Sequence, residues 1–174
     1  MPTAIFLPLF KKRFPLLALI LTLLALLYLG VIEHATKLAP NISFNTLTGK
    51  QLTLKELQHK PVIVTFWASD CPACIKEIPD LIDLYNQYHS KGLEIIAVAM
   101  SYDPPNRVIN LTKEQQLPYP VALDLDAELA HAFDNVQLVP SLFLIAPDGS
   151  IALHKTGLLD ITELKTYIDT YTKG

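Results

Sequence analysis

Cysteine is scarce in this chain of 174 residues: there are two. That is too few for the disulfide framework of a small secreted scaffold. Glycine is also sparse, at 6, against 13 prolines, and no repeat period links them. Collagen-like and low-complexity architectures are thereby excluded. Charge is limited, at 18% of residues, and the net value is −3. A nucleic-acid binder carries a basic excess or a basic patch. The only basic cluster here is Lys11-Lys12-Arg13, and an apolar run follows it. Hydrophobic residues make up 51% of the chain, and the mean hydropathy is +0.31. Both values are too high for a disordered chain, and the second is high for a purely soluble one.

Residues 14–32 contain no charge over 19 positions. As a helix they span about 28 Å, close to the hydrocarbon thickness of a bilayer. Pro15 sits where a first helical turn tolerates it, and Tyr28 suits a membrane interface. The basic cluster before the run puts the N-terminus on the cytoplasmic side and the remainder across the membrane. The rival is a cleaved signal peptide, which has a shorter apolar region ending in a small-x-small site. Both readings place the rest of the chain outside the cytoplasm. The expected organisation is a cytoplasmic basic terminus over 1–13, a transmembrane anchor over 14–32, a linker over 33–40 and one domain over 41–174. Setting aside 1–36 leaves 11 basic and 16 acidic residues, a net charge near −5. Such a domain has no affinity for nucleic acid or anionic lipid headgroups.

Within the domain, residues 42–44 and 51–53 flank Thr48-Gly49-Lys50 and predict a hairpin. Thr53-x-x-Glu56 predicts a capping box on a short helical turn through Leu57. The apolar runs 61–67 and 93–99 predict strands buried on both faces. A helix is expected from Pro72 to Ser90, with Ile75, Ile78, Ile82, Tyr85 and His89 on one face and a kink at Pro79. Gly92 stops it. Further helices are expected over 107–116 and 126–133, and a short strand over 121–123. Residues 141–145 and 150–154 flank Ala146-Pro147-Asp148-Gly149, a hairpin signal. Asp160-x-x-Glu163 caps a final helix from Ile161 to about Tyr171. This order implies an α/β fold around one central mixed sheet flanked by helices.

The two cysteines are Cys71 and Cys74, in Cys71-Pro72-Ala73-Cys74, between a predicted buried strand and a predicted helix. Free N–H groups at a helix N-terminus favour an anion, so Cys71 is placed to lose its proton readily. Cys74 lies one turn on, within bonding reach. Cys71 can attack a substrate disulfide and Cys74 can resolve the mixed disulfide. Pro72 in the first turn costs no helix hydrogen bond. Two bland readings compete. A static disulfide closing so short a loop stabilises little. A zinc site needs about four ligands, and neither His131 nor His154 has matching spacing. The histidines 34, 59, 89, 131 and 154 read as surface or rim residues.

The stretch from Val64 to Pro79, VTFWASDCPACIKEIP, resembles the active-site region of the thioredoxin superfamily. It is most similar to the membrane-anchored TlpA/ResA/DsbE(CcmG) branch. The likeness covers residues 38–172 and includes the insert around 103–125, Val139-Pro140-Ser141 and the 146–149 hairpin. It implies a thioredoxin-like fold and thiol–disulfide exchange on exported proteins, apocytochrome c thiols among them. It also implies a DsbD- or CcdA-type membrane reductase as electron donor. It implies an inner-membrane, periplasm-facing location and no cofactor beyond the Cys71/Cys74 pair. By the same resemblance Cys71 is the nucleophile and Cys74 the resolving thiol. Glu77 tunes thiol ionisation, although a solvated acid in the first helical turn is the equal alternative. Pro140 is the cis-proline facing the disulfide, and Val139 pairs its backbone with substrate. Trp67 reads either as plain core or as a shield for the thiols. Trp67, Asp70, Pro72, Val139 and Pro140 form the expected substrate-binding set.

Two positions depart from the family pattern. Thr65 stands where many thioredoxins have a buried, titrating Asp. Asp70 stands where many have Trp directly before the first Cys. A carboxylate there opposes the helix-end effect on Cys71 and sits on the docking surface. Tyr102-Asp103-Pro104-Pro105 reads as a plain loop or as part of the site rim. The expected activity is disulfide reduction, with oxidation or isomerisation on the same fold as the alternative. Two other classes fit worse. A peroxidase needs Pro and Thr where Val64 and Ala68 stand. A copper-type assembly factor needs one more residue between the cysteines.

Overall fold

The computed structural model describes residues 17–24 and 37–172. The chain divides after residue 36 into two units. In the first, residues 17–24 form helix α1, with all eight side chains exposed. Most of the expected anchor over 14–32 lies outside the described residues. Among the described residues no helix is long and apolar enough to cross a membrane.

The second unit, Lys37–Gly174, holds a sheet of five strands. In chain order the elements are β1 (Ser43–Asn45), β2 (Gln51–Thr53), β3 (Val62–Trp67), α2 (Pro72–Tyr88), β4 (Glu94–Ala99), α3 (Pro105–Glu114), β5 (Val121–Leu123), α4 (Glu128–Ala132), β6 (Ser141–Ile145), β7 (Ile151–Thr156) and α5 (Ile161–Thr172). The main sheet runs β5-β4-β3-β6-β7, and β1-β2 form a separate hairpin. Strands β3, β4 and β5 are parallel, with Val62 opposite Glu94 and Trp67 opposite Ala99. Strand β6 is antiparallel to β3, and β7 to β6. The thioredoxin-like α/β fold expected from the sequence is the one observed.

The apolar runs are explained by burial on two faces. Ile63, Trp67, Ile95, Ala97, Leu142 and Leu144 point to one side, where Leu81, Leu84 and Tyr88 of α2, Val108 of α3, and Leu164 and Ile168 of α5 cover them. Val64, Phe66, Ile96, Val98 and Phe143 point to the other, toward Phe44 and Leu54 of the hairpin region and Leu129 and Phe133. On that second face Phe66, Phe133 and Phe143 meet edge to face, with centroids 5.0 to 6.0 Å apart.

One local expectation holds and three are corrected. The Thr53/Glu56 box forms reciprocally: Thr53 N–H donates to Glu56 Oε2 and Glu56 N–H to Thr53 Oγ1. It opens only a run of turns, with Gln58 N–H bonded to Lys55 C=O, and no regular helix follows. Helix α2 ends at Tyr88 in a 3-10 turn, and Gly92 closes that turn with a φ of 102°. Its buried face is Cys74, Glu77, Ile78, Leu81, Leu84 and Tyr88, rotated from the expected stripe. Ile75, Ile82 and Tyr85 are only half-buried and His89 is exposed, because both flanks of the stripe are apolar and the sheet takes the leucine side. Helix α4 is also shorter than the expected 126–133.

Phe133→Ala removes the centre of the aromatic cluster and should cost about 3–5 kcal/mol of stability. Leu125→Ala, at an exposed position, should stay within about 0.5 kcal/mol. Denaturant unfolding of both variants checks the contrast.

Candidate functional site

The site lies where β3 stops. After Trp67 the chain turns through Ala68-Ser69-Asp70, with Cys71 N–H bonded to Ala68 C=O at 3.2 Å. Cys71 is the N-cap of α2, and its Sγ accepts the Cys74 N–H at 3.2 Å. Pro72 occupies the first helical turn, where its missing N–H leaves no bond unmade. Cys71 and Cys74 are joined as a disulfide with Cα atoms 5.3 Å apart. Cys71 is half-buried while Cys74 is only 3% exposed. The sulfur that an incoming thiol or disulfide can reach is therefore that of Cys71. Once reduced, its thiolate faces the unpaired N–H groups of α2, which stabilise it.

Across from the disulfide lies the start of β6. The Val139–Pro140 bond is cis, and the Val139 carbonyl oxygen is 3.6 Å from Cys71 Sγ. Val139, named from the sequence as a backbone partner for substrate, thus lies beside the reactive sulfur.

Behind the disulfide a narrow cleft, with a volume of about 10 Å³, is lined by Thr65, Trp67, Cys74, Glu77 and Pro140 among others. That is room for one water at most. Trp67 is 5% exposed, and its Nε1 has no hydrogen-bond partner. It belongs to the core cluster and also lines this cleft, so both readings of Trp67 describe part of its position. Thr65 is buried there and cannot titrate.

Glu77 is no solvated first-turn acid. It is 6% exposed, and Oε1 accepts the Leu159 N–H at 2.8 Å. Burial pushes its carboxyl above the usual carboxylate range, the Leu159 bond pulls it back, and nearby Asp80 adds to the rise. Among the described residues it is the only carboxylate lining the cleft beside Cys74. A carboxyl held closer to neutral pH and next to the buried thiol is suited to take and return a proton.

Sequence reasoning left Asp103 as a plain loop or rim residue. It is 4% exposed. Its Oδ2 accepts the Ser69 N–H at 2.5 Å and its Oδ1 the Ser69 hydroxyl at 2.6 Å. Asp103 therefore clamps the turn that presents Cys71. No spacing signal joins residues 34 apart; only the parallel pairing of β3 and β4 brings their ends together. Leu159 was missed for the same reason, because its contribution is a backbone N–H. Asp70 is exposed. Among the described residues, no group of three or more His, Cys, Asp and Glu could hold a metal ion.

Two outcomes follow. Asp103→Ala strands the Ser69 N–H and should cost about 1–3 kcal/mol, read by denaturant unfolding. For Glu77 the sign is set by its raised folded-state pKa. Its contribution to stability is complete below the ordinary value of 4.5 and is lost as pH rises through the raised value. Glu77→Gln stays neutral throughout, so its stability relative to the parent should grow as pH rises above 4.5. Unfolding curves across a pH series measure the difference; a flat difference rejects the assignment.

The chain matches the redoxin family over residues 34–167. It is 32% identical over 136 residues to the thiol–disulfide oxidoreductase ResA of Bacillus subtilis, covering 78% of this chain and 75% of that protein. It is 33% identical over 151 residues to ResA of Bacillus cereus, covering 84% and 86%. Among solved structures, a Neisseria meningitidis thioredoxin superposes with a TM-score of 0.73 at 34% identity, covering 78% of this chain and 90% of that one. With a half-exposed sulfur at a helix start, its buried partner one turn on and these relatives, the chain belongs to the redoxin family and is a thiol–disulfide oxidoreductase of the ResA type.

Proposed function

We propose that the chain works as an extracytoplasmic disulfide reductase, anchored by residues 14–32 in the cytoplasmic membrane with the domain facing the periplasm. The observation that carries the reaction is the asymmetry of the pair: Cys71 is reachable and Cys74 is enclosed beside Glu77. Cys71 thiolate attacks one sulfur of a substrate disulfide and expels the other as a thiolate. Cys74 then attacks Cys71 Sγ, releasing the second substrate thiol and leaving the Cys71–Cys74 disulfide. Two electrons pass to the substrate. The proton of Cys74 passes to Glu77, and the departing thiolates take up protons from the site and solvent.

The extracytoplasmic assignment is supported by the uncharged run after Lys11-Lys12-Arg13 and by the exposed apolar side chains of α1. The substrates are disulfides of exported proteins, with those of apocytochrome c as the class that the ResA likeness suggests. Electrons to regenerate the dithiol come from a membrane reductase of the DsbD or CcdA type.

The test is the reduction potential of the full-length chain in detergent, measured against defined thiol buffers. A value near or below about −250 mV, in the range of thioredoxin, agrees with a reductant. A value near about −120 mV would make the chain an oxidant instead. Cys71→Ser should abolish exchange, and Cys74→Ser should accumulate mixed disulfides, visible on non-reducing gels.

A further inference from the structure

The end of the sheet that carries Cys71 presents apolar side chains and, directly before the sulfur in the chain, the charge of Asp70. Tyr102 follows β4, Leu125 follows β5, Leu138 precedes β6 and Leu158 follows β7, and all four are exposed. In this sheet those four positions share the end at which β3 delivers Cys71. An apolar rim of that kind accepts many extended segments. Selection among them needs something more directional.

Asp70 supplies it. It is exposed, directly precedes Cys71, and takes part in no hydrogen bond or ion pair among the described residues. An acid at a helix start commonly serves as the cap; here Cys71 occupies that role, and its Sγ takes the Cys74 N–H. Nor can Asp70 fold inward. The turn that carries it is fixed through Ser69, both of whose donors are held by buried Asp103. Tyr102 is brought to the same turn, because its chain neighbour Asp103 holds Ser69, the chain neighbour of Asp70; burial first, then the Asp70 and Asp103 carboxylates, push the Tyr102 hydroxyl above the usual phenol range. An exposed carboxylate and an exposed aromatic ring flanking the same Ser69–Asp103 tie suit a lysine or arginine, one by charge and the other by its π face. The neighbouring charges leave that role open. Asp103 is committed to Ser69, and Lys76, exposed on α2, pairs with no acid among the described residues.

We propose that Asp70 and Tyr102 form a cation-accepting lip beside Cys71, so that exchange is fastest with protein disulfides whose attacked cysteine is flanked by Lys or Arg. The proposal rests on thiol–disulfide exchange at Cys71. It adds no step to that reaction: the cation docks, Cys71 thiolate attacks the adjacent substrate sulfur, and the substrate's other sulfur leaves as a thiolate. The basic residue lies next to the newly formed mixed disulfide, where it offsets the repulsion between the Asp70 carboxylate and the sulfur anions.

The probes are three peptide disulfides, identical except for Arg, Gln or Glu beside the attacked cysteine. The full-length dithiol chain in neutral detergent is mixed with each under stopped flow. Rates are normalised to those of dithiothreitol with the same peptides, which removes the peptides' own reactivity. At low salt the Arg peptide should react about tenfold faster than the Glu peptide, as expected for unit charges a few ångströms apart at a protein surface. At about 1 M salt that ratio should collapse toward one. Asp70→Asn should reduce it to about threefold or less, and Tyr102→Leu should slow the Arg peptide while leaving the Glu peptide unchanged. Equal normalised rates for the three peptides, or an undiminished ratio in Asp70→Asn, would overturn the lip while exchange itself stands. Failure to react with any of them, the neutral Gln peptide included, would remove the exchange reading and the lip together.

Discussion

Strand β3 is hydrogen-bonded on both edges and buried on both faces. That constraint governs the rest of the domain. A strand so enclosed has no freedom to slide or tilt, because a shift of one residue would exchange its two apolar faces. Its end at Trp67 is therefore a fixed point. The turn at Ser69 and the start of α2 take their positions from it. Two core clusters, one per face, hold β3 from either side. The placement of Cys71 for its chemistry is set by how firmly this strand is held.

The site is assembled by contacts of very different range. Cys71 and Cys74 are organised locally, by one helical turn and an N-cap bond. Glu77 is tied to the C-terminal part of the domain through Leu159. Ser69 is tied to the end of β4 through Asp103. Val139 arrives from the segment just before β6. Each long-range tie uses a polar group that would be costly to bury alone, so each also favours the one arrangement in which all are paired. Trp67 Nε1 is the exception: among the described residues it is the buried side-chain polar atom that the packing leaves without a partner.

What the sequence revealed follows the same division. The fold was legible because β3, β4 and β6 are near-continuous apolar runs, and such runs occur where a sheet is covered on both sides. The thiol pair was legible because its spacing and its strand-to-helix position are local. The face of α2 was misplaced because Ile75, Ile82 and Tyr85 compete with Leu81, Leu84 and Tyr88, and only the sheet decides between them. Glu77 read equally as a tuner of the thiols and as a solvated acid until its partner, 82 residues away, was in place. Asp103 was ambiguous because nothing in Tyr102-Asp103-Pro104-Pro105 refers to Ser69. Local chemistry could be read directly; contacts made by strand pairing could not.

The Glu77–Leu159 bond bears on how the protein is made. Synthesis runs from the N-terminus at a finite rate. Both cysteines therefore leave the ribosome well before the segment that buries the carboxylate beside them. Until residue 159 emerges, Glu77 is a hydrated acid and the thiols lack the enclosed carboxylate beside them. The nascent chain thus carries two cysteines in an ordinary chemical setting. Only a chain extended past residue 159 possesses the environment that sets them apart.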